Sequence, residues 1–272
     1  MRKRGSDSMT WTPYLVSLRI LSPLHIGWRK IGNLQQTRPY VTAKTLWGAL
    51  TARLVRDQGD TNYQEIGDKV DEELRFTYFY PSLTRDRVEI WPWDNNSKRF
   101  SWMYLGSYGS VATKENIAEE GMLHEIEYIS PRSRNDEEVY LIGYIIEKEG
   151  CKLNWRVALK RIQIGGERGY GWGRIELIDD PKKTETCFDY NIDDEENSPQ
   201  ITVPKGNPIL SHALADGLNC KGTIEPLVGR ETDENKGFGG VISRAEICWM
   251  PGSIVRANKI FNIYSKGILE LK

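Results

Sequence analysis

Residues 14–21 alternate apolar and polar positions, the period of a strand, and Ser22 and Pro23 end it. Residues 27–39 are predicted to be a loop, with Gly27, Gly32 and Asn33 as breakers. Thr42 is the expected cap of a helix over about 43–56, in which Trp47, Leu50 and Leu54 recur at helical spacing and face a core. Gly48 inside that helix costs ~1 kcal/mol relative to alanine, so another backbone is expected to approach it. Residues 57–73 read as acidic loop and helix, and 76–93 as an extended, hairpin-like insertion broken by Pro81 and Pro92. A strand and loop are expected over 102–109, a polar stretch without period over 109–121, and strands over 122–129 and 138–147. A short helix follows over 155–162, a glycine-rich loop over 165–173 and a strand over 174–178. Residues 184–199 read as a linker or surface excursion. The tail reads as mostly β, with strands at 240–249 and 254–257 joined by a turn, then a hairpin of 259–264 with 268–271.

The order strand, helix, strand, strand, helix, strand fits an α+β fold: a ferredoxin-like, RRM-like core with insertions and a β-rich C-terminal region. The expected division is a loose basic arm over 1–13, the core domain over 14–180 and a β-rich subdomain over 200–272. No run of ~18 apolar residues is present, and the basic N-terminus lacks the apolar stretch of a secretory signal. Cys151, Cys187, Cys220 and Cys248 are widely spaced, as are His25, His124 and His212, so neither a metal site nor a cofactor is expected, and a cytoplasmic protein with reduced thiols is.

Net charge is only −1, but the charges fall in blocks. Residues 19–56 carry seven basic residues and no acid, and 57–73 carry seven acids and one lysine. Residues 152–174 carry six basic residues and one acid, and 175–200 carry nine acids and two lysines. If the two basic blocks meet in the fold, they make a positive surface on a neutral protein. Taken alone, such blocks are more often unrelated solvated faces.

Two segments could carry chemistry. In the first, Gly165, Gly166, Gly169, Gly171 and Gly173 leave a backbone whose amides can donate to phosphate. Arg168 and Arg174 add charge, and Tyr170 and Trp172 offer faces for base stacking. The spacing is that of neither a Walker loop nor a dinucleotide fingerprint. Composition alone also fits a tight turn with stacked aromatics. In the second, His25 and Trp28 follow the first strand, and Lys44 and Thr45 open the helix, where an anion is favoured. Lys44 runs against the helix macrodipole, which a bound anion would explain. A snorkelling surface lysine is the commoner case.

Together these segments resemble the CRISPR-associated RAMP superfamily. The resemblance rests on Pro23-Leu24-His25-Ile26-Gly27, on Lys44-Thr45-Leu46-Trp47-Gly48-Ala49-Leu50 and on the glycine-rich run, in that order; residues 118–129 also look like a strand entry of type III members. The match spans about 14–178. It implies an RRM-like core that binds crRNA, most like family five, the non-catalytic subunit that caps the 5′ tag of the crRNA. The implied RNA contacts are His25, Trp28, Lys44, Thr45, Arg53, Gly165, Gly166, Arg168, Gly169, Tyr170, Gly171, Trp172, Gly173 and Arg174. The implied partners are crRNA, a family seven backbone subunit, a large or nuclease subunit and, indirectly, the target nucleic acid, with no membrane. Family seven itself is a rival, but its slicing members carry an aspartate in the first loop, and residues 27–39 contain no acid. A crRNA-processing endoribonuclease of family six is the enzymatic alternative, with His25 as general acid or base. A protein-binding scaffold is a third, in which Trp91, Trp93 and Trp102 serve interfaces.

Overall fold

The computed structural model describes residues 11–59, 62–93, 96–114, 117–195, 198–233 and 237–272. Most of the expected basic arm lies outside these residues, but Trp11, Thr12 and Pro13 belong to the first strand. Trp11 is buried in an apolar cluster and fixes them there.

The N-terminal part contains β1 (Trp11–Ile20), β2 (Gly27–Ile31), β3 (Leu34–Thr37), α1 (Ala43–Gln58), α2 (Tyr63–Glu73), β4 (Leu74–Phe76) and β5 (Tyr80–Ser82). It continues with α3 (Ser97–Tyr104), β6 (Leu105–Lys114), β7 (Ile117–Ile129), β8 (Tyr140–Lys148), α4 (Trp155–Leu159), β9 (Ile175–Leu177) and β10 (Lys182–Lys183). β1 pairs antiparallel with β8 from Trp11↔Lys148 to Arg19↔Tyr140. On its other side β1 pairs with β9 and β10, and β8 pairs with β4 and β5. The spatial order is fourth, first, third and second strand of a βαββαβ unit, with α1 and α4 in the crossovers. This is the ferredoxin-like arrangement.

Both faces of this sheet are buried. Val16, Leu18 and Ile20 of β1 and Leu141 and Ile145 of β8 pack beneath Leu46, Trp47, Leu50 and Leu54 of α1. Trp11, Tyr144 and Ile146, on the opposite face, pack against Tyr190, Ile192, Ile201 and Phe261 from the C-terminal strands. Burial on both sides explains the almost unbroken apolar run of residues 139–146. An RRM stacks bases on the face of its sheet away from the helices. Here protein covers that face.

The remaining strands are β11 (Thr186–Cys187), β12 (Tyr190–Glu195), β13 (Ser198–Val203), β14 (Ala213–Leu214), β15 (Cys220–Lys221), β16 (Ile224–Asp233), β17 (Gly237–Trp249), β18 (Ile254–Val255), β19 (Lys259–Ile263) and β20 (Leu269–Leu271). Eight of them form one sheet in the order β11-β12-β13-β19-β20-β14-β17-β16.

Several expectations are corrected. Residues 27–39 hold the β2–β3 hairpin rather than a loop; Gly32, at φ +57°, supplies its turn. The stretch 76–93 is no insertion, since Phe76, Tyr78, Phe79 and Tyr80 are core residues around β4 and β5. Residues 102–104 are helical, because Phe100, Met103 and Tyr104 share the buried face of α3. The polar stretch 109–121 is largely paired strand, within the β6–β7 ribbon. The supposed linker carries β11 and β12, whose Cys187, Tyr190 and Ile192 are buried despite the surrounding acids. β17 pairs with β16 and β14, and β18 pairs with β15 instead. The Thr42 hydroxyl meets Thr45 Oγ1 at 3.0 Å rather than capping a backbone amide. What approaches Gly48 is the Tyr63 hydroxyl, which donates to its carbonyl at 3.2 Å. Among the described residues, no helix is long and apolar enough to cross a membrane.

Gly143 sits opposite Val16, and a Cβ there would lie 2.3 Å from the Phe79 ring. Gly143→Val should therefore destabilise the fold by about 2–3 kcal/mol through overpacking, read as a lower midpoint in urea denaturation.

Candidate nucleic-acid interface

The glycine-rich loop is folded against the end of the first strand. Gly166 N–H donates to the His25 carbonyl at 2.8 Å, Gly173 N–H to the Pro23 carbonyl at 2.8 Å, and Arg174 N–H to Ser22 Oγ at 2.9 Å. At Gly165 (φ +82°) a Cβ would stand 2.5 Å from the His25 carbonyl oxygen, and at Gly173 (φ +79°) 1.9 Å from that of Ile164. These two glycines are required for docking the loop. Gly169 and Gly171 face open space. The amides of Tyr170, Gly171 and Trp172 turn inward to Glu167 and Arg168 carbonyls. The amides of Gly166, Tyr170, Gly171, Trp172 and Gly173 are thus spent on the loop itself and its docking, which leaves fewer donors for a phosphate than the glycine count suggests.

His25 is buried, and its Nδ1 donates to the Glu127 carbonyl at 2.7 Å. Beside it lies α1, with Leu46, Leu50 and Leu54 turned into the core. Its outward face carries Lys44, Gly48, Ala52 and Arg56 at intervals of four, one line along a helix. The small residues keep this face low, and the two cations stand at its ends.

Helix face, His25 and loop enclose a cleft of roughly 630 Å³. Arg38, Lys44, Arg56, Arg168 and Arg230 line it, and no carboxylate does among the described residues. A second groove of roughly 840 Å³ continues past Gly27, Arg38, Thr42 and Lys44, which both share, toward the β16–β17 ribbon. The two basic blocks of the sequence therefore meet.

Of the expected contacts, His25, Lys44, Thr45, Gly165, Gly166 and Arg168 converge on the cleft. Arg53 does not; it is paired with Asp57, which also takes Arg161 at 3.2 Å. Its replacement is Arg56, which the four-residue spacing from Lys44 could have revealed. Tyr170 is 78% exposed and has a free ring face. Trp172 lies edge-on to Tyr128 at 5.3 Å, so it holds the loop to β7. The Arg174 side chain is exposed outside the cleft. Arg38 lay in the first basic block without being singled out, whereas Arg230 comes from a distant hairpin and had no sequence signal.

Trp28 is half-buried in a polar junction. Its Nε1 donates to Glu225 at 2.9 Å, Arg38 donates to the same carboxylate at 2.6 Å, and His212 Nε2 does so at 2.6 Å. The Tyr78 hydroxyl meets His212 Nδ1 at 2.6 Å. Burial pushes the His212 imidazole below its ordinary pKa and outweighs the Glu225 carboxylate, so the ring is neutral. Burial pushes the Glu225 carboxyl up, but His212, Arg38 and Trp28 outweigh it and hold the group at about 2. The junction fixes the β16–β17 ribbon, and with it Arg230, beside the cleft.

The model of the RAMP superfamily matches residues 17–176, the βαββαβ unit together with the docked loop. This chain belongs to the RAMP superfamily. No curated protein matches its sequence. Among solved structures, the RAMP chain is similar to a chain of the type III-B Cmr-β complex bound to cognate target RNA and AMPPnP. The identity is 14%, with 89% of this chain and 86% of that chain covered and a TM-score of 0.49. A chain of the same complex bound to cognate target RNA is 12% identical, with 61% and 96% covered and a TM-score of 0.42. One from its apo state is also 12% identical, with 62% and 96% covered and a TM-score of 0.39.

The depressed Glu225 pKa gives a signed expectation. Its folded value of about 2 lies below the ordinary 4.5, so the stability it supplies is present above 4.5 and lost as pH falls toward 2. Glu225→Gln should cost about 3–5 kcal/mol at neutral pH, since Arg38 loses its buried partner. The variant's stability should also fall less steeply between pH 4.5 and 2, measured by urea denaturation at each pH.

Proposed function

We propose that this RAMP chain is a crRNA-binding subunit of a CRISPR effector complex, capping the 5′ tag of the guide and contacting the first backbone subunit. The observation that carries this reading is the cleft: five cations with no carboxylate among its described lining residues, built where the two motif segments meet. A neutral protein concentrates positive charge in this way when its ligand is a polyanion. The covered sheet face sends the strand to the helix side, where Lys44, Arg56, Arg168 and Arg230 meet phosphates and Tyr170 offers a stacking face. The Cmr-β structures similar to this chain include complexes with target RNA, in keeping with an RNA partner and with other effector subunits.

A second reading has one observation in its favour. His25 lines the cleft with Nδ1 anchored, the setting a metal-independent ribonuclease of family six type needs for a general acid or base. Cleavage of repeat RNA that is lost in His25→Gln would establish it.

The capping reading is tested by RNA titrations at several salt concentrations. Lys44→Ala, Arg56→Ala and Arg168→Ala should each reduce the slope of log K against log [salt] by about one, and Arg53→Ala should leave it unchanged. Sequencing of RNA that co-purifies with the intact complex should return a constant 5′ tag. Absence of that tag would overturn the capping role.

A further inference from the structure

Behind Trp28 lies a separate pocket of roughly 570 Å³. Trp28 lines both this pocket and the basic groove, so the two are neighbours. The pocket differs in chemistry from the cleft. Trp93 and Met250 give it broad apolar walls, Trp28 lines it with the Arg29 guanidinium over its ring at 4.0 Å, and Lys221 stands exposed in its lining. Trp93 is a fixed wall: it stacks on Trp91 at 4.9 Å, and Gly252, at φ +91°, lets its indole lie where a Cβ would stand 2.6 Å from the ring. Among the described residues, one carboxylate lines the pocket, that of Glu127. The Thr37 amide donates to Glu127 Oε2 at 3.0 Å, which orients the group and leaves Oε1 for a donor in the pocket. Gln36, whose Oε1 is taken by Arg29 at 2.8 Å, keeps its amide N–H groups.

Flat apolar walls, one oriented acceptor and a nearby cation fit a planar heterocycle that carries an amino group and is attached to an anionic backbone. We propose that this pocket accepts a single unstacked nucleobase of the strand held in the basic groove, and that Glu127 selects a base with an exocyclic amino group. The inference rests on the RNA-binding reading of the groove. The phosphates stay among the cations of the groove, while the base enters the neighbouring pocket at Trp28. Cytosine and uracil have the same ring size and differ at position 4. Cytosine places an amino donor there, which a carboxylate accepts, and uracil places an acceptor oxygen, which it repels.

The test is fluorescence anisotropy of the full chain with labelled single-stranded oligocytidine and oligouridine of equal length. The wild-type protein should bind oligocytidine about tenfold more tightly. Glu127→Gln, whose amide can also donate, should bring the ratio below about twofold, chiefly by weakening oligocytidine. Ser101→Trp, at an exposed position in the pocket lining, should fill the space and abolish the preference by a second route; melting midpoints verify that both variants fold. Salt-dependent binding with equal affinity for the two strands, or a preference that survives in both folded variants, would overturn the pocket and leave the groove standing. Loss of salt-dependent binding to either oligonucleotide in the wild-type protein would overturn the groove and the pocket together.

Discussion

Burial of the β1–β8 pair on both faces is the constraint from which the rest follows. Helices cover one side and the C-terminal strands the other. An RRM-like sheet has one face to offer to bases, and here that face is spent on the core. The proposed ligand site lies instead at the end of β1, where the chain leaves the sheet toward α1. The glycine-rich loop returns to the same place ahead of β9, through backbone hydrogen bonds to Pro23 and His25. Segments 140 residues apart in sequence are thereby neighbours because βαββαβ topology sets the first and last strands side by side.

The polar junction around Glu225 turns a second packing problem into a positioning device. Arg38 and His212 are buried where the N-terminal unit meets the C-terminal strands, and neither could stay there unpaired. One carboxylate serves both and takes the Trp28 indole as well. Two of its donors come from the β2–β3 hairpin and its exit and the third from residue 212, which fixes their relative placement more closely than apolar packing would. The same contacts hold Trp28, which the sequence resemblance implies as an RNA contact, in the lining of both groove and pocket.

The fold was legible because periodicity survives in the buried strands and in α1. Leu46, Leu50 and Leu54 mark the core face of α1, and the apolar run of residues 139–146 marks the central strand. What escaped was structure imposed by distant contacts. α3 reads as extended because its aromatics suit a strand, and only their burial at positions 100, 103 and 104 shows the helix. β11 and β12 hide among acids because each buries only alternate residues against strands far along the sequence. The candidate site was half legible for the same reason. The docked loop and the Lys44 helix lie on motifs, but Arg230 and Glu225 reach the site through the pairing of β16 with β17.

Arg53 and Arg56 show why charge composition misleads about binding. Both lie on α1 within the first basic block, three residues apart. Arg53 points toward Asp57 one turn on, and Arg161 joins that carboxylate, so the opening of the acidic block neutralises cations on that flank. Arg19 is likewise paired with Glu138, and Arg38 with Glu225. Arg56 and Arg168 face the cleft and meet no carboxylate among the described residues. The alternating blocks of opposite sign are therefore complementary rather than merely adjacent. Acids pair Arg19, Arg53 and Arg161 off the cleft and Arg38 within its lining, and a net charge of −1 coexists with a cleft lined by cations. Net charge reports the sum over both populations, whereas a polyanion meets only the unpaired one.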